Sequence, residues 1–269
     1  MRKITFRVPG IAKLLRNLNP HKAAGPDSIP TQVLKIASDQ IAPVLTRIFQ
    51  SSYDTGTVPC DWRDANIVPI YKKGDKQLAS NYRPVSLTSI SCKVIEHVVH
   101  SNIMDHFQKH SILCDEQHGF RKRRSCESQL ITTIQGIASK LRSGRDQVDV
   151  ILLDFAKAFD KVPHQRLLYK LNYYGVREEN LQWVESFLSH RKQRVLLDGK
   201  SSAQADVTSG VPQGTVNGPL YFLAFINDLP ECTSSDTRLF ADDGLLYRTI
   251  KSNKDAQEDL QQDLHSLEQ

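Results

Sequence analysis

The sequence lacks the features that mark secreted, zinc-binding and membrane-spanning proteins. Its 269 residues include five cysteines, an odd number, scattered and without a C-x-x-C pair. This pattern indicates neither a disulfide framework nor a zinc or redox motif. No apolar run approaches the roughly 20 residues needed to cross a bilayer. The basic first residues are not followed by the apolar stretch of a signal peptide. We therefore expect reduced thiols, no secretion and no membrane partner.

The composition is that of an ordinary globular chain with a mild positive charge. Hydrophobic residues make up 39% and charged residues 24%, so a buried core is expected. The formal net charge of +5 permits nucleic-acid binding but does not demonstrate it. Each basic cluster taken alone is explained by solvated surface. Three clusters that flank carboxylates favour a polyanionic partner: Lys72, Lys73 and Lys76; Arg121 to Arg124; and Arg191, Lys192 and Arg194.

Apolar residues recur at helical spacing in four segments before residue 145. The first segment stops before Pro20, and the second follows a loop at residues 23–30. The third runs from about Lys93 to Lys109, and the fourth begins after an N-cap at Ser125 and ends at Gly144. We interpret these helices as scaffold. Their predicted apolar faces are Leu14, Leu15 and Leu18; Val33, Leu34, Ile41, Val44, Leu45 and Ile48; Val94, Ile95, Val98, Val99, Ile103 and Phe107; and Leu130, Ile134, Ile137 and Leu141.

Strand signals are interspersed with these helices. Residues 65–71 favour a strand with a turn at 73–75, and the apolar run 148–155 predicts a strand buried on both faces with Asp154 at its end. Residues 194–197 and 203–208 form a predicted hairpin across Asp198-Gly199. A second predicted hairpin at 239–247 carries Asp242 and Asp243 at its tip. Strands mixed with long helices predict an α+β fold.

Three aspartates are the candidates for chemistry. Asp154 has an ordinary explanation as a turn cap after its strand, and Asp243 has one as part of an Asp-Gly turn. Asp242 resists such an explanation, because a second adjacent carboxylate adds repulsion unless a cation compensates it. Magnesium prefers oxygen ligands of this kind. A strand-end Asp facing an Asp pair at a hairpin tip predicts a two-metal phosphoryl-transfer site.

Several short motifs follow one another along nearly the whole chain. They are 24–27 (AGPD), 81–87 (NYRPVSL), 117–121 (QHGFR), 153–164 (LDFAKAFDKVPH), 210–215 (GVPQGT), 218–220 (GPL), 226–230 (INDLP) and 240–243 (FADD). In this order they resemble the motifs of reverse transcriptases of non-LTR retrotransposons, especially the jockey-like elements. Residues 153–164 and 240–243 resemble the two catalytic motifs, those at 210–230 the template and nucleotide motif, and the three before residue 122 the fingers motifs.

The resemblance implies a role for each matching residue. Asp154, Asp242 and Asp243 would hold two magnesium ions, with manganese as a substitute and the carbonyl of Phe155 as a further ligand. Phe159 would pack where a ribose 2′-hydroxyl would lie and so favour deoxynucleotides, although core packing also explains it.

Other matching residues would bind the nucleotide and the template. Either Lys72 or Lys73, together with Arg83, would clamp the incoming triphosphate. Gln213 would contact the nucleotide or template base, although a turn glutamine is often only solvated, and Gly214 would allow a close backbone approach. The run Arg121, Lys122, Arg123 and Arg124 would track template phosphates.

The expected architecture is the fingers and palm of a right-hand polymerase, with an antiparallel palm sheet packed on helices and the thumb absent. We expect a helical extension at 1–64, fingers with supporting helices at 65–146, and a palm at 147–269 that ends in a helix carrying Ala256, Leu260, Leu264 and Leu267. Without thumb and endonuclease parts, which we expect elsewhere in a full-length element protein, processive synthesis would be weak. Departures from the family pattern are Ser28 for Gly, Thr215 for Ser and Asn217 for an apolar residue.

The resemblance implies an RNA-directed DNA polymerase acting on an RNA template, a DNA primer and deoxynucleoside triphosphates. One alternative is a truncated or domesticated fragment that keeps the fold and nucleic-acid binding without turnover. Another is a different magnesium-dependent phosphoryl-transfer enzyme such as a nuclease, which has no evident need for Phe159 or for the turn at 212–214. By resemblance, the protein would assemble with RNA in the cytoplasm and act in the nucleus.

Overall fold

The computed structural model describes residues 1–142, 147–250 and 255–268. The chain forms two compact units, and each unit is built from two separate stretches of sequence. The first unit comprises Met1–Lys109 and Phe159–Tyr221, and the second comprises His110–Ala158 and Phe222–Gln269. The predicted end of a helix at Gly144 falls outside the described residues. The three-part division at residues 64 and 146 stays a prediction.

Helices and strands alternate along the chain in the mixed pattern expected from the sequence. The helices are α1 (Val8–Arg16), α2 (Thr31–Ile36), α3 (Ser38–Asp54), α4 (Cys60–Arg63), α5 (Ile90–Lys109), α6 (Cys126–Arg142), α7 (His164–Tyr173), α8 (Glu179–Leu188), α9 (Gly218–Ile226) and α10 (Asp255–Glu268). The strands are β1 (Asp64–Tyr71), β2 (Tyr82–Leu87), β3 (Gln147–Asp154), β4 (Arg191–Leu197), β5 (Lys200–Ser201), β6 (Ala205–Val207), β7 (Asp236–Phe240) and β8 (Asp243–Ile250). Short 3-10 turns lie at Ala79–Asn81, Phe159–Lys161 and Leu229–Cys232.

The first unit has a sheet in the order β2-β1-β4-β5, with β6 also paired to β4. Strands β1 and β2 form an antiparallel hairpin, whereas β1 and β4 pair in parallel with Asn66 opposite Arg194. The hairpin predicted at Asp198-Gly199 is confirmed: Leu197 pairs with Lys200, and both turn residues have positive φ. Such angles match the twist of a tight two-residue turn.

Helices supply the core of the first unit. Trp183 and Phe187 of α8 are fully buried and stacked, with ring centroids 5.5 Å apart. The Trp183 indole N–H donates to the Ser52 hydroxyl of α3 at 3.2 Å, so this buried donor is satisfied. The predicted helix near 93–109 is confirmed as α5, with Val94, Ile95, Val99, Ile103 and Phe107 buried.

The predicted apolar face of residues 33–48 is partly wrong. The segment forms two helices, because Ala37 leaves helical geometry and the chain restarts at Ser38. Val33 in α2 is exposed, and in α3 Val44 is 58% exposed and Ile48 is also exposed. The buried face of α3 is formed instead by Ala42, Leu45, Thr46, Phe49, Ser52 and Tyr53.

The second unit has an antiparallel sheet in the order β3-β8-β7. Its register runs from Gln147 opposite Ile250 to Asp154 opposite Asp243. The predicted strand at 148–155 and hairpin at 239–247 are therefore confirmed. The expected burial of β3 on both faces is wrong, since β3 is an edge strand and Leu152 is 79% exposed.

Helix α6 packs against this sheet with a face adjacent to the predicted one. The Ser125 cap is confirmed, because its hydroxyl accepts the Ser128 backbone N–H at 3.2 Å. The buried residues are Gln129 and Thr133, whereas Leu130, Ile134 and Leu141 are exposed. Gln129 and Thr133 satisfy their polar groups by donating to the carbonyls of Glu116 and Gln129. None of the helices within the described ranges has the length and apolarity to cross a membrane.

Candidate active site

The second unit places three aspartates at one end of its sheet. Asp154 is the last residue of β3, Asp243 is the first residue of β8, and the two are register partners. Cα atoms of antiparallel partners lie about 4.5–5.5 Å apart. Asp242 precedes Asp243 in the turn that joins β7 to β8. The backbone therefore places Asp154 and Asp243 opposite each other, with Asp242 next to Asp243 in the sequence.

The turn of this hairpin lies earlier than the sequence predicted. Phe240 pairs with Asp243, so the two turn residues are Ala241 and Asp242, and Gly244 lies within β8. Ala241 has a φ of 55°, which few residues other than glycine adopt readily. Asp243 is therefore a strand residue, and the Asp-Gly turn that could have explained its presence does not exist.

The donors at this end of the sheet fit magnesium by their chemistry. Three carboxylates supply hard oxygen ligands, and the Phe155 carbonyl, whose oxygen has two lone pairs, accepts the Ala158 N–H at 3.2 Å. Within the described ranges, no group of three or more His, Cys, Asp or Glu side chains converges to hold a metal ion. Asp154 and Asp243 are exposed, and Asp242 is half-buried.

The first unit brings together two of the residues predicted to bind nucleotide, Phe159 and Gln213. Phe159 accepts the Val211 N–H through its carbonyl at 2.8 Å, which joins its 3-10 turn to the loop that holds Gln213. The Gln213 side-chain amide donates to the Asp160 carboxylate at 3.2 Å, and the backbone carbonyl of Gln213 accepts the Ser86 N–H at 2.8 Å. Phe159 and Gln213 are half-buried, so Gln213 is engaged rather than merely solvated.

Glycine is required on both sides of Gln213. A Cβ at Gly214, where φ is 96°, would lie 2.9 Å from the Ser86 carbonyl oxygen, and one at Gly210 would lie 2.6 Å from that of Asp160. The loop therefore lies directly against the backbone of β2. Thr215 keeps the hydroxyl that the family's usual Ser would supply, accepting the Gly218 N–H at 3.2 Å.

The remaining residues expected at the triphosphate lie on the β1–β2 hairpin. Arg83 is exposed on β2, opposite Ile70, and Lys72 and Lys73 follow the end of β1. Arg83 precedes Ser86 by three residues, about 10 Å along a strand. The hairpin thus carries two exposed lysines just after β1. It also carries an exposed arginine on β2, the strand that contacts the Gln213 loop.

The four basic residues expected at the template divide into two pairs in the second unit. Arg121 donates to the Cys114 carbonyl, and Arg124 donates to the Asp115 carbonyl and forms an ion pair with its carboxylate. Both guanidinium groups therefore bind backbone carbonyls of the loop that precedes them in the sequence. Lys122 and Arg123 are exposed. In the first unit, Arg191 of the third basic cluster is buried and donates to the Phe187 carbonyl at 3.0 Å, so it does not belong to a charged surface.

Sequence reasoning gave no role to two buried side chains. Glu96 is fully buried and accepts the Val216 and Asn217 N–H groups at 2.9 and 3.0 Å, which fixes the chain after the Gln213 loop. Burial raises the pKa of this carboxyl above its ordinary value of 4.5. Gln117, in the second unit, contacts the turn before Asp242. The only signal for Glu96 in the sequence was a glutamate on the otherwise apolar face of the predicted helix.

The chain belongs to the reverse transcriptase (RNA-dependent DNA polymerase) family, whose sequence model matches residues 70–269. It is 30% identical over 268 residues to the RNA-directed DNA polymerase from mobile element jockey of Drosophila melanogaster, covering 96% of this chain and 29% of that protein. The Drosophila funebris jockey polymerase is 30% identical over 82% of this chain and 24% of its own length. The probable RNA-directed DNA polymerase from transposon BS of Drosophila melanogaster is 29% identical over 84% and 25%. The chain spans less than a third of the length of these relatives.

Proposed function

We propose that this chain is the polymerase domain of a non-LTR retrotransposon protein, adding deoxynucleotides to a DNA primer on an RNA template. The observation that carries the proposal is the register pairing of Asp154 with Asp243 beside Asp242. Family membership supports it, because the relatives are named RNA-directed DNA polymerases. We further propose a fingers-and-palm architecture in which the β3-β8-β7 sheet is the palm sheet.

Asp154, Asp242 and Asp243, with the carbonyl of Phe155, are the proposed ligands of two magnesium ions, for which manganese can substitute. These residues would hold the ions, and the chemistry supplied when the ions are bound would be activation of the primer 3′-hydroxyl and stabilisation of the leaving pyrophosphate. The chain contributes by anchoring the carboxylates on paired strands. Positioning and electrostatic stabilisation supply most of the catalysis in phosphoryl transfer.

The nucleotide is proposed to bind at the surface formed by Phe159 and the Gln213 loop. The hydrogen bonds from Val211 to Phe159 and from Gln213 to Asp160 hold these segments together. The Phe159 ring would exclude a ribose 2′-hydroxyl, and Gly214 would let the backbone approach the base pair.

Charged side chains on both units are proposed to bind phosphates. Lys72 or Lys73 and Arg83 would clamp the triphosphate, and the exposed Lys122 and Arg123 would contact the template backbone. Further parts of a full-length element protein, including a thumb and an endonuclease, are proposed as partners. The protein would assemble with its RNA in the cytoplasm and act on DNA in the nucleus.

The decisive experiment measures incorporation of labelled deoxythymidine monophosphate on a poly(rA) template with an oligo(dT) primer and magnesium. The parent chain is compared with an Asp242→Asn, Asp243→Asn double variant. Asp149→Asn is the matched control, because Asp149 lies on the same strand as Asp154 but opposite Arg248, far along the ladder. We expect incorporation by the parent and the control, and none by the double variant.

Two outcomes would contradict the proposal. Equal incorporation by the parent and the double variant would show that the two carboxylates take no part in the reaction. Cleavage of the RNA template without primer extension, abolished in the double variant, would indicate a nuclease.

The role of Phe159 has a test that needs no second control, because it measures a ratio. Replacing Phe159 with Ala removes the ring that would exclude the ribose hydroxyl, so ribonucleotide incorporation should rise relative to deoxynucleotide incorporation. An unchanged ratio would leave Phe159 with a packing role only.

A further inference from the structure

A single buried glutamine holds both backbone polar groups of the residue before Asp242. The Gln117 side chain is 2% exposed. Its Oε1 accepts the Ala241 N–H at 2.8 Å, and its Nε2 donates to the Ala241 carbonyl at 3.2 Å. One planar amide thus pairs with both backbone polar groups of one residue in the turn.

The backbone around Gln117 is fixed against the same hairpin. Residues 116–118 run parallel to β7: the Leu239 N–H donates to Glu116 at 3.0 Å, and the His118 N–H donates to Leu239 at 2.9 Å. The Gly119 N–H donates to Gln117 Oε1 at 2.7 Å, which orients the amide. A Cβ on Gly119 would lie 2.2 Å from the Ala241 nitrogen, so only glycine allows this approach.

This support acts on a strained residue. Ala241 has a φ of 55°, a left-handed conformation that an L-residue with a Cβ adopts at a cost. Such a conformation persists only when surrounding contacts determine it. The backbone of Ala241 sets the direction in which the chain enters Asp242 and Asp243. The amide that fixes Ala241 therefore also fixes the backbone positions from which both carboxylate side chains extend.

We propose that Gln117 is a positioning residue for the metal-binding carboxylates. It holds the Ala241 turn in its left-handed form so that Asp242 and Asp243 face the partner strand that ends in Asp154. The inference rests on the proposed function, since it assumes that these carboxylates bind a divalent metal. It assigns to the 117–121 motif a role in the catalytic hairpin itself.

The test compares Gln117→Ala with Gln129→Ala as a matched control. Gln129 is a buried glutamine of the same unit that also donates a hydrogen bond to a backbone carbonyl, that of Glu116 at 3.3 Å. Binding of Mn²⁺ is measured by the electron paramagnetic resonance signal of the free ion, alongside the unfolding midpoint and primer extension. Loss of an outer-shell partner typically weakens metal affinity roughly 10–100-fold. We expect that loss for Gln117→Ala and less than about twofold for Gln129→Ala at a comparable change in unfolding midpoint.

Gln117→Asn provides a second variant if the Ala variant does not fold. It keeps the amide but shortens its reach, so an intermediate Mn²⁺ affinity is expected. Unchanged Mn²⁺ affinity in the folded Gln117 variants, or an equal loss in Gln129→Ala, would overturn the inference. Mn²⁺ binding by the parent that is lost in Asp242→Asn, without primer extension, would refute the polymerase assignment while still allowing Gln117 to be judged. Absence of Mn²⁺ binding by the parent would overturn both.

Discussion

The substitution Gly119→Ala tests how closely the 117–121 motif approaches the catalytic hairpin. A Cβ at this position would lie 2.2 Å from the Ala241 nitrogen and 2.8 Å from its Cα. Both are backbone atoms, so no side chain can rotate away to make room. The turn itself must move, and with it the hydrogen bonds between Gln117 and Ala241.

The expected cost follows from these contacts. Overpacking of a close-packed site costs about 1–3 kcal/mol, and loss of the 2.7 Å hydrogen bond from the Gly119 N–H would add roughly 0.5–1.5 kcal/mol. Reduced freedom of the unfolded chain offsets about 0.4–1 kcal/mol of this. We therefore expect Gly119→Ala to lower the free energy of unfolding by roughly 0.5–4 kcal/mol.

Gly10→Ala is the matched control. Gly10 lies in helix α1, and a Cβ there would meet nothing within 4 Å. The same chemical change should therefore stabilise the protein by about 0.5–1 kcal/mol. The two variants are expected to shift stability in opposite directions.

Urea denaturation followed by far-UV circular dichroism measures both effects. Tryptophan fluorescence follows the first unit separately, because the two tryptophans, Trp62 and Trp183, both lie there. A Gly119→Ala variant as stable as the parent, or stabilised like Gly10→Ala, would refute the close approach and weaken the argument for Gln117.

Three further predictions concern other parts of the chain. Asn217 is fully buried, and within the described residues neither of its side-chain polar atoms has a hydrogen-bond partner. Asn217→Leu should therefore raise the free energy of unfolding by about 1–3 kcal/mol. A lowered urea midpoint would contradict this prediction. Lys122→Ala and Arg123→Ala should each reduce the slope of the logarithm of the RNA-binding constant against the logarithm of salt concentration by about one. Neither substitution should change the unfolding midpoint, whereas Arg124→Ala should lower it. The raised pKa of Glu96 means that the folded chain retains a proton that the unfolded chain releases, so its contribution to stability declines as pH rises from 4.5 through the raised pKa. The free energy of unfolding of the parent relative to Glu96→Gln should fall over that range, and a flat difference would refute the assignment.

Local pattern was sufficient to predict most of the elements. The hairpin at Asp198-Gly199 follows from residues that accept positive φ, and the helix after Ser125 follows from its cap. The pairing of Asp154 with Asp243 was expected from a strand end and a hairpin tip. The turn and the cap depend on a few neighbouring residues, which is why they can be read without tertiary structure, whereas the pairing of Asp154 with Asp243 was suggested only by the positions of the two residues at the ends of predicted strands.

The orientation of elements and the partners of polar side chains could not be predicted in this way. Leu152 is exposed because β3 is an edge strand, and strand order is a property of the whole fold. Arg191 has the sequence context of a surface arginine, yet it is buried over the Phe187 ring. Gln117 contacts a residue 124 positions away, and a lone glutamine in a loop gives no sign of that partner.

The segments of the two units alternate along the sequence, and this order has a consequence for synthesis on the ribosome. Strand β1 pairs with β4, and Asn66 accepts a hydrogen bond from Arg194 across 128 residues of sequence. At about 5–20 residues per second, β1 is made roughly 6–25 s before its partner strand. During that interval one edge of the β1–β2 hairpin is open while the first half of the second unit is being translated. The nascent chain therefore offers an unpaired strand to other chains or to chaperones until β4 emerges.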